Sequence, residues 1–401
     1  MLLLRNMIQP YAWGPIDGLV PLLDVEPTGG PQAELWVGTH ARGPSTVDEG
    51  PDEGRSLAEV LAADPFRFLG DDRAGAGDAD LPFLLKVLAI DKALSVQAHP
   101  SAVQARAGFD REEAAGIAID APERNYRDPN PKPEALVALV PTWVLCGFRE
   151  PVVAAELIAD LHVPALDPLV GALRDGGPTA LADALRWLLH LPDDERSMVA
   201  GEAETAAAEA VGDREDRSDP RSWVVRLAAE QPGDPTCVMP LLLELVRLGP
   251  GESVHLPAGN LHAYLHGAGV EIMRSSDNVL RGGLTAKHVD VDELLTVLDL
   301  APGMPARPTI TRPGRGLTAY DCGEASFGLV RVDPTAGAVS IEPTGPSLLL
   351  AVGGDVDVAG SDGGLSIGHG DAAFVAPGEG PLVVTGDGTL WWATTGDALP
   401  S

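Results

Sequence analysis

The segment LPFLLKVLAIDKALSVQAHPS, residues 81–101, contains two apolar runs that are separated by Asp91 and Lys92. Both runs are typical of buried β-strands. The second run leads into Gln97 and His99. Because alternate residues of a strand point to the same face, these two polar side chains should face the same way. An amide and an imidazole placed together at the end of a buried strand indicate a functional site.

The composition of the 401-residue chain is that of a globular protein of two or three domains, with 45% hydrophobic and 22% charged residues. No apolar run reaches about 18 residues, so a membrane span is not expected. The formal net charge of −31 argues against a nucleic-acid partner, which would require a basic face. An anionic substrate would have to be bound by a few cations that are grouped in a cleft.

The first residues, MLLLRNMIQPYAWG, break their apolar run at Arg5, whereas a secretory signal needs about 7–15 consecutive apolar residues. Three cysteines, Cys146, Cys237 and Cys322, lie far apart with no paired spacing. We therefore expect a reduced, cytoplasmic protein.

Lysine is rare in this chain, which uses arginine at nearly every basic position. Of 28 Lys and Arg residues, only Lys86, Lys92, Lys132 and Lys287 are lysines, and the first three lie close to the Gln–His pair. Lysine can titrate and arginine does not replace it in proton transfer. The clustering favours a functional role, for Lys86 and Lys132 more than for Lys92.

The pattern of apolar residues divides the chain into regions. Residues 1–150 are rich in short strand-like runs, whereas residues 151–248 contain Ala/Leu-rich segments with helical periodicity, such as VVAAELIADL and ALADALRWLLHL. From Thr318 onward short strands alternate with Gly/Pro turns, a pattern typical of a sandwich or barrel. The sequence thus predicts a helical block of about 90 residues between two β-rich regions.

Four polar residues occupy positions where strand cores are expected: Gln97, His99, Glu134 and His262. Two His and one carboxylate from separate strands suit a divalent metal, and such a set is common for zinc. A Gln amide oxygen would be an unusual fourth ligand. A lone strand His is more often a hydrogen-bonded polar residue than a metal ligand.

Other histidines could take part in or around such a site. His255 and His266 neighbour His262 in sequence and could compete with it, and His40 could lie in the surrounding shell. From the residues alone, a metal site is one of the two readings that stay open.

Six segments follow one another along residues 1–300: IQPYAWGPIDGL, AELWVGTHARGPS, LSVQAHPS, NPKPEALVAL, PAGNLHAYL and SSDNVLRGGLTAKHVDVDELL. In this order they resemble the hallmark segments of the type I mannose-6-phosphate isomerases (phosphomannose isomerases). The string SDNVLRGGLT is long and specific. One departure is QAHPS, where many members of that family continue with Asp-Lys, so a phosphate contact from that loop is not expected.

The resemblance implies a mixed, mainly β fold with two cupin-like jelly rolls. Residues 1–150 and 241–315 would form the catalytic jelly-roll domain, residues 151–240 a helical domain inserted into it, and residues 316–401 a C-terminal jelly-roll domain. It also implies a monomeric cytoplasmic enzyme that acts on a small sugar phosphate and has no nucleic-acid or membrane partner.

The resemblance further implies a zinc-dependent aldose-ketose isomerase that interconverts mannose 6-phosphate and fructose 6-phosphate through a cis-enediol. One Zn²⁺ per chain would be held by Gln97, His99, Glu134 and His262. Arg281 would stabilise the enediolate, and Glu271 or Lys132 would act as the base, with Glu271 preferred. Residues expected to bind substrate are Lys86, Asp277 and Trp13.

Two other functions are compatible with the same residues. Two His and a carboxylate on a jelly roll also occur in non-haem metal oxygenases, although Gln97 would fill a position that O₂ chemistry needs open. A cupin that binds sugar without turnover is the other alternative. Lys132, Arg281 and Glu271 argue against that reading, because binding alone does not require them.

Overall fold

The computed structural model describes residues 1–77, 79–213, 216–361 and 363–400. Helices and strands contribute about equally, and the sheets are antiparallel. The mixed fold predicted from the sequence is therefore confirmed. The first 150 residues supply the strands β1 (Leu2–Arg5), β2 (Met7–Gln9), β3 (Glu34–Val37), β4 (Thr46–Val47), β5 (Phe83–Ile90), β6 (Val96–Ala98), β7 (Glu134–Ala138) and β8 (Thr142–Phe148), and the helices α1 (Leu57–Ala63), α2 (Pro65–Leu69), α3 (Asp71–Gly75) and α4 (Ala102–Ala114).

A block of helices follows β8, as its Ala/Leu periodicity predicts. In this block one helix buries Leu181, Ala184, Leu185 and Leu188, at the i, i+3, i+4, i+7 spacing of a single helix face. These side chains share a core with Leu145 of β8. The helices are α5 (Pro151–Ala159), α6 (Asp167–Asp175), α7 (Ala180–Leu189), α8 (Asp193–Val211), α9 (Pro220–Glu230) and α10 (Met239–Leu242).

The chain then returns to strands and completes the sheet that β5 and β7 began. The new elements are β9 (Leu243–Leu248), β10 (Ser253–Leu256), β11 (His262–Arg274), β12 (Leu280–Gly283) and α11 (Val291–Val297). The strand order is β10-β7-β11-β5-β3-β2, with β6, β12, β8 and β9 attached through β11. The long strand β11 is thus the common partner of strands that lie before the helical block.

The last region forms two further sheets. Its strands are β13 (Thr309–Thr311), β14 (Leu317–Asp321), β15 (Gly328–Val332), β16 (Val339–Ile341), β17 (Ser347–Val352), β18 (Val356–Gly360), β19 (Gly363–Ile367), β20 (Ala372–Val375), β21 (Leu382–Gly386) and β22 (Thr389–Thr394). One sheet has the order β13-β14-β15-β22-β17-β20-β1-β4 and the other β16-β21-β18-β19. The first strand of the chain, β1, therefore belongs to a sheet made mainly by the last region.

The described helices include none that combines the length and the apolar character needed to cross a membrane.

Candidate metal centre and active site

The register of β11 brings the polar residues of the sequence analysis to one place. His262, the first residue of β11, lies opposite Gln97 of β6. At the other side of β11, Met273 lies opposite Glu134, the first residue of β7. Arg281 of β12 also lies opposite Gln97. Strands distant in sequence thus deliver their polar ends to the same region of the sheet.

Within the described part of the chain, one group of His, Cys, Asp and Glu side chains has the geometry of a metal site: His99, Glu134 and His262, whose ligand atoms lie within 4.8 Å of one another. All three side chains are buried. The Nε2 atoms of His99 and His262 lie 3.4 Å and 3.5 Å from the two Glu134 oxygens. The Gln97 amide lies 3.4 Å from His262 Nε2, so its oxygen can complete a set of four.

Backbone carbonyls fix which nitrogen of each imidazole faces the centre. His99 Nδ1 lies 2.8 Å from the Asn278 carbonyl, and His262 Nδ1 lies 3.0 Å from the Asn260 carbonyl. A carbonyl can only accept, so each Nδ1 carries the hydrogen and each Nε2 presents a lone pair. Metal-binding histidines are usually oriented in this way.

Two buried atoms at the centre lack a partner of their own. Among the described residues, His99 Nε2 and Glu134 Oε2 make no hydrogen bond. Buried polar atoms are normally paired because desolvation is costly. Lone pairs from two neutral imidazoles and one carboxylate are the donor set that suits a divalent transition-metal ion, so the residues present fit zinc.

Charge at the centre is set by burial and by a lysine. Burial lowers the pKa of His99 to about 4, so the imidazole is neutral near pH 7. Burial alone would raise the pKa of Glu134, but Lys132 and His99 hold it well below its usual range. Lys132 Nζ lies 2.9 Å from Glu134 Oε1. The carboxylate is therefore ionised and ready to bind a cation.

A second buried network joins Lys86 and Glu271, which lie opposite each other on β5 and β11. Lys86 Nζ lies 3.1 Å from Glu271 and 3.5 Å from Glu34. The other Glu271 oxygen accepts a hydrogen bond from the Tyr264 hydroxyl at 2.9 Å. Burial opposes the charge of Lys86, but the two carboxylates raise its pKa above the usual value. Lys86 is therefore a cation already matched by two carboxylates.

Arg281 lies in a cationic neighbourhood beside the centre. It is half-buried, and burial followed by the charge of Arg127 lowers its pKa. Burial and the charges of Arg281, Arg42 and Arg127 likewise lower the pKa of Lys287. The described residues place no carboxylate in an ion pair with Arg281 or Lys287. This cationic cluster, defined as Arg281, Arg127 and Lys287, is the local exception in a strongly acidic chain.

The remaining residues predicted to contact substrate lie along one rim. Asp277 accepts a hydrogen bond from Arg42 at 2.6 Å and lies 3.5 Å from His40 Nε2. Trp13 stacks on Tyr11 with ring centroids 6.0 Å apart. Trp13 also packs against the apolar cluster that contains Tyr264.

Histidines that could have competed for the metal lie elsewhere. His255 Nε2 lies 3.5 Å from Glu324, and His40 faces Asp277. His266 belongs to β11 but follows a register shift between Tyr264 and His266. None of the three belongs to the metal-capable group.

Several residues of the site had not been singled out in the sequence, namely Glu34, Tyr264, Arg127, Asn278 and a functional use for Lys287. Glu34 gave a possible signal, because it is a charged residue at the head of the apolar segment ELWV. The contacts of the others depend on the register of β11 and on the loops around it, which the local sequence does not specify.

Comparison with known proteins agrees with this geometry. Residues 1–151 match the family model for the phosphomannose isomerase type I catalytic domain. The chain is 35% identical over 399 residues to the mannose-6-phosphate isomerase of Escherichia coli (strain K12), and the match covers 96% of this chain and 97% of that protein.

Solved structures agree over nearly the whole length. The fold is similar to that of a zinc-bound mannose 6-phosphate isomerase, with a TM-score of 0.89 and 30% identity, covering 98% of this chain and 99% of the other. It is also similar to the Salmonella typhimurium enzyme bound to substrate (f6p) and zinc, with a TM-score of 0.89, 30% identity and coverage of 98% and 99%.

Proposed function

The chain belongs to the type I phosphomannose isomerase family, and we propose that it is a zinc-dependent isomerase that interconverts mannose 6-phosphate and fructose 6-phosphate. The observation that carries the proposal is the convergence of three buried, metal-capable side chains from separate strands beside an arginine that has no ion pair within the described residues. This combination suits charge stabilisation on a bound sugar.

We propose Gln97, His99, Glu134 and His262 as the ligands of one Zn²⁺ per chain. The three shorter-range partners leave two buried lone pairs unsatisfied, and the Gln97 amide is within reach of the same point. When bound, the zinc supplies a Lewis acid that polarises the sugar oxygens.

The isomerisation moves a proton from C2 to C1 of the open-chain sugar and a second proton from O2 to O1. A base must take the C2 proton and return it. Both oxygens of Glu271 already bind neighbours, Lys86 and Tyr264, whereas the ion pair of Lys132 is with the proposed ligand Glu134. These contacts favour Lys132 as the base, with Glu271 as the alternative.

Negative charge develops on O1 and O2 in the transition state, and the phosphate carries charge throughout. Arg281 and Lys287 of the cationic cluster can serve these two needs, since guanidinium and ammonium groups are suited to oxyanions. Lys86, Asp277 and Trp13 would form the wall against which the sugar is oriented. The balanced charge of Lys86 suits hydrogen bonding to hydroxyls better than neutralising a phosphate.

We also propose the domain division that the sequence predicted: residues 1–150 with 241–315, 151–240, and 316–401. The shared sheet of β5, β7 and β11 on both sides of the helical block supports it. The strands β1 and β4 are the exception, because they extend the sheet of the last region. A monomeric cytoplasmic enzyme is likewise our proposal.

The test is zinc content and isomerase activity measured together. The isolated protein should contain about one zinc ion per chain and convert mannose 6-phosphate to fructose 6-phosphate in a coupled assay. Chelation should remove both, and added Zn²⁺ should restore both. Glu134→Gln should lose zinc, whereas Glu123→Gln, an exposed matched control, should keep it.

Other outcomes identify the alternatives. Bound iron with no isomerase activity would indicate an oxygenase. Sugar binding with intact zinc and no turnover would indicate a binding module.

A further inference from the structure

A fully buried asparagine, Asn278, touches both sides of the metal centre. Its side chain is 0% exposed, and its amide makes four hydrogen bonds. The Oδ1 atom accepts from the backbone amides of Arg127 at 2.7 Å and Asp128 at 3.2 Å. The Nδ2 atom donates to the carbonyls of Asp128 at 2.7 Å and Asn130 at 2.8 Å. The bonding capacity of the amide is thus saturated.

The segment that Asn278 holds has little means of holding itself. In the sequence DPNPKPE, residues 128–134, prolines occupy positions 129, 131 and 133. Proline has no N–H and cannot donate to a strand ladder. The backbone on the way to Lys132 and Glu134 therefore depends on partners outside it.

The same residue also orients a proposed zinc ligand. The Asn278 carbonyl accepts the hydrogen of His99 Nδ1 at 2.8 Å. One residue thus fixes the rotation of His99 through its main chain and the approach of the Lys132–Glu134 pair through its side chain. Arg281 follows three residues later on β12.

We propose that Asn278 is a positioning residue that couples zinc binding at His99 to the placement of residues 127–134. The inference rests on the proposed zinc-dependent function. The bond directions require an amide: a carboxylate at this position would face the Asp128 and Asn130 carbonyls with no hydrogen to donate. Loss of the amide should therefore alter the relative positions of His99, Glu134 and Lys132, not merely the stability of the fold.

The first experiment compares Asn278→Ala with Asn125→Ala. Asn125 lies on the same segment and donates to Asp290 at 2.9 Å, but it does not contact the centre. Zinc affinity is measured by competition with a chromophoric chelator, on folded protein well below its midpoint of thermal unfolding. We expect Asn278→Ala to bind zinc about 10–100-fold more weakly, the usual cost of losing an outer-shell partner, with Asn125→Ala within about twofold of wild type.

The second readout is kinetic. At saturating zinc, kcat of Asn278→Ala should fall by up to about 10²-fold, because a small misplacement of a reacting group has that effect. A folded Asn278→Ala with wild-type zinc affinity and wild-type kcat, only melting earlier, would show that Asn278 is purely structural and would overturn the proposal.

A measurement on the wild-type enzyme guards against a variant that does not fold. Zinc added to the metal-free enzyme should slow hydrogen exchange at the Arg127 and Asp128 amides that bind Asn278 Oδ1. Unchanged exchange there, in a protein that binds zinc and is active, would overturn the coupling while leaving the proposed function intact. A wild-type protein that binds no zinc would contradict both.

Discussion

Lys132 and Glu134 form an ion pair of 2.9 Å between Nζ and Oε1 at the edge of the proposed metal centre. The two residues are separated by Pro133 alone, and alternate residues of extended chain face the same way. One carboxylate therefore serves a lysine and a metal ion at once. This arrangement keeps the lysine beside the point where substrate oxygens would lie.

The first prediction separates the two candidate bases. Lys132→Met removes the proposed base but leaves all four proposed ligands, so zinc content should stay near one per chain. Activity should fall by about 10²–10⁴-fold, the usual contribution of general acid–base catalysis. Zinc content and kcat are measured on the same sample. Near-normal activity in Lys132→Met would move the role of base to Glu271.

The second prediction concerns Arg281. Arg281→Ala should lower kcat by about 10²–10³-fold, the range seen when one charge-stabilising donor is lost, with zinc content unchanged. Arg281→Lys should recover little, since it lacks the planar fork of donors. Arg247→Ala, an exposed arginine on β9, serves as the control and should behave as wild type. Normal kcat in Arg281→Ala would remove this residue from the mechanism.

The third prediction concerns the stability of the Lys86 network. Lys86→Met leaves Glu34 and Glu271 buried without their cation. Breaking one side of a buried ion pair typically lowers the free energy of unfolding by about 3–5 kcal/mol. Urea denaturation measures the loss, and a second substitution, Glu34→Gln, should recover part of it. A loss below about 1 kcal/mol would mean that solvent screens these carboxylates.

The fourth prediction is a pH dependence. Burial opposes ionisation of Asp277, but the hydrogen bond and charge of His40, with the charge of Arg42, lower its pKa to about 2 from an ordinary value of 3.8. The unfolded chain therefore binds the proton at a higher pH than the folded one does. Asp277 should contribute stability above about pH 4 and lose that contribution as the pH falls towards about 2.

The measurement compares wild type with Asp277→Asn by urea denaturation at several pH values. The stability difference should be largest above about pH 4 and should shrink below it. Asp52→Asn, in an exposed pair with Arg55, is the control and should show a small effect throughout. A difference that grows on acidification would contradict the prediction.

The fifth prediction tests packing with two helical glycines. A Cβ on Gly108 of α4 would lie 2.3–2.5 Å from Tyr126 ring atoms, so Gly108→Ala should destabilise the fold by about 1–3 kcal/mol. A Cβ on Gly201 of α8 would meet nothing within 4 Å, so Gly201→Ala should stabilise it by about 0.4–1 kcal/mol. Chemical denaturation measures both. The same sign for the two variants would contradict the packing described here.

Local sequence carries much of the information about the metal centre. The face of a strand is encoded by alternation, so Gln97 and His99 could be assigned to one face from their spacing alone. The type of each residue limits its chemistry, which is why two His and a carboxylate predict a metal. The structure brings His99, Glu134 and His262 within 4.8 Å of one another.

The rest of the site depends on register and could not be derived in this way. Lys86 meets Glu271 because β5 and β11 pair at one particular offset, and a shift by one residue would point them to opposite faces. The predicted use of Lys86 for phosphate did not foresee that two carboxylates would balance it. The reach of Asn278 to residues 127–130 has the same origin, since loop contacts across about 150 positions leave no mark in either segment.

The pairing of β1 with β20, which aligns Leu3 with Ala373, has a consequence for biosynthesis. A ribosome releases the strand LLLR first, but its partner emerges roughly 370 positions later. Until then one edge of β1 exposes unpaired amides and carbonyls, a template for unwanted association. The nascent polypeptide must keep that edge protected while the proposed zinc ligands are already outside the exit tunnel. Folding of this molecule can thus bind its metal before its first strand has found its permanent neighbour.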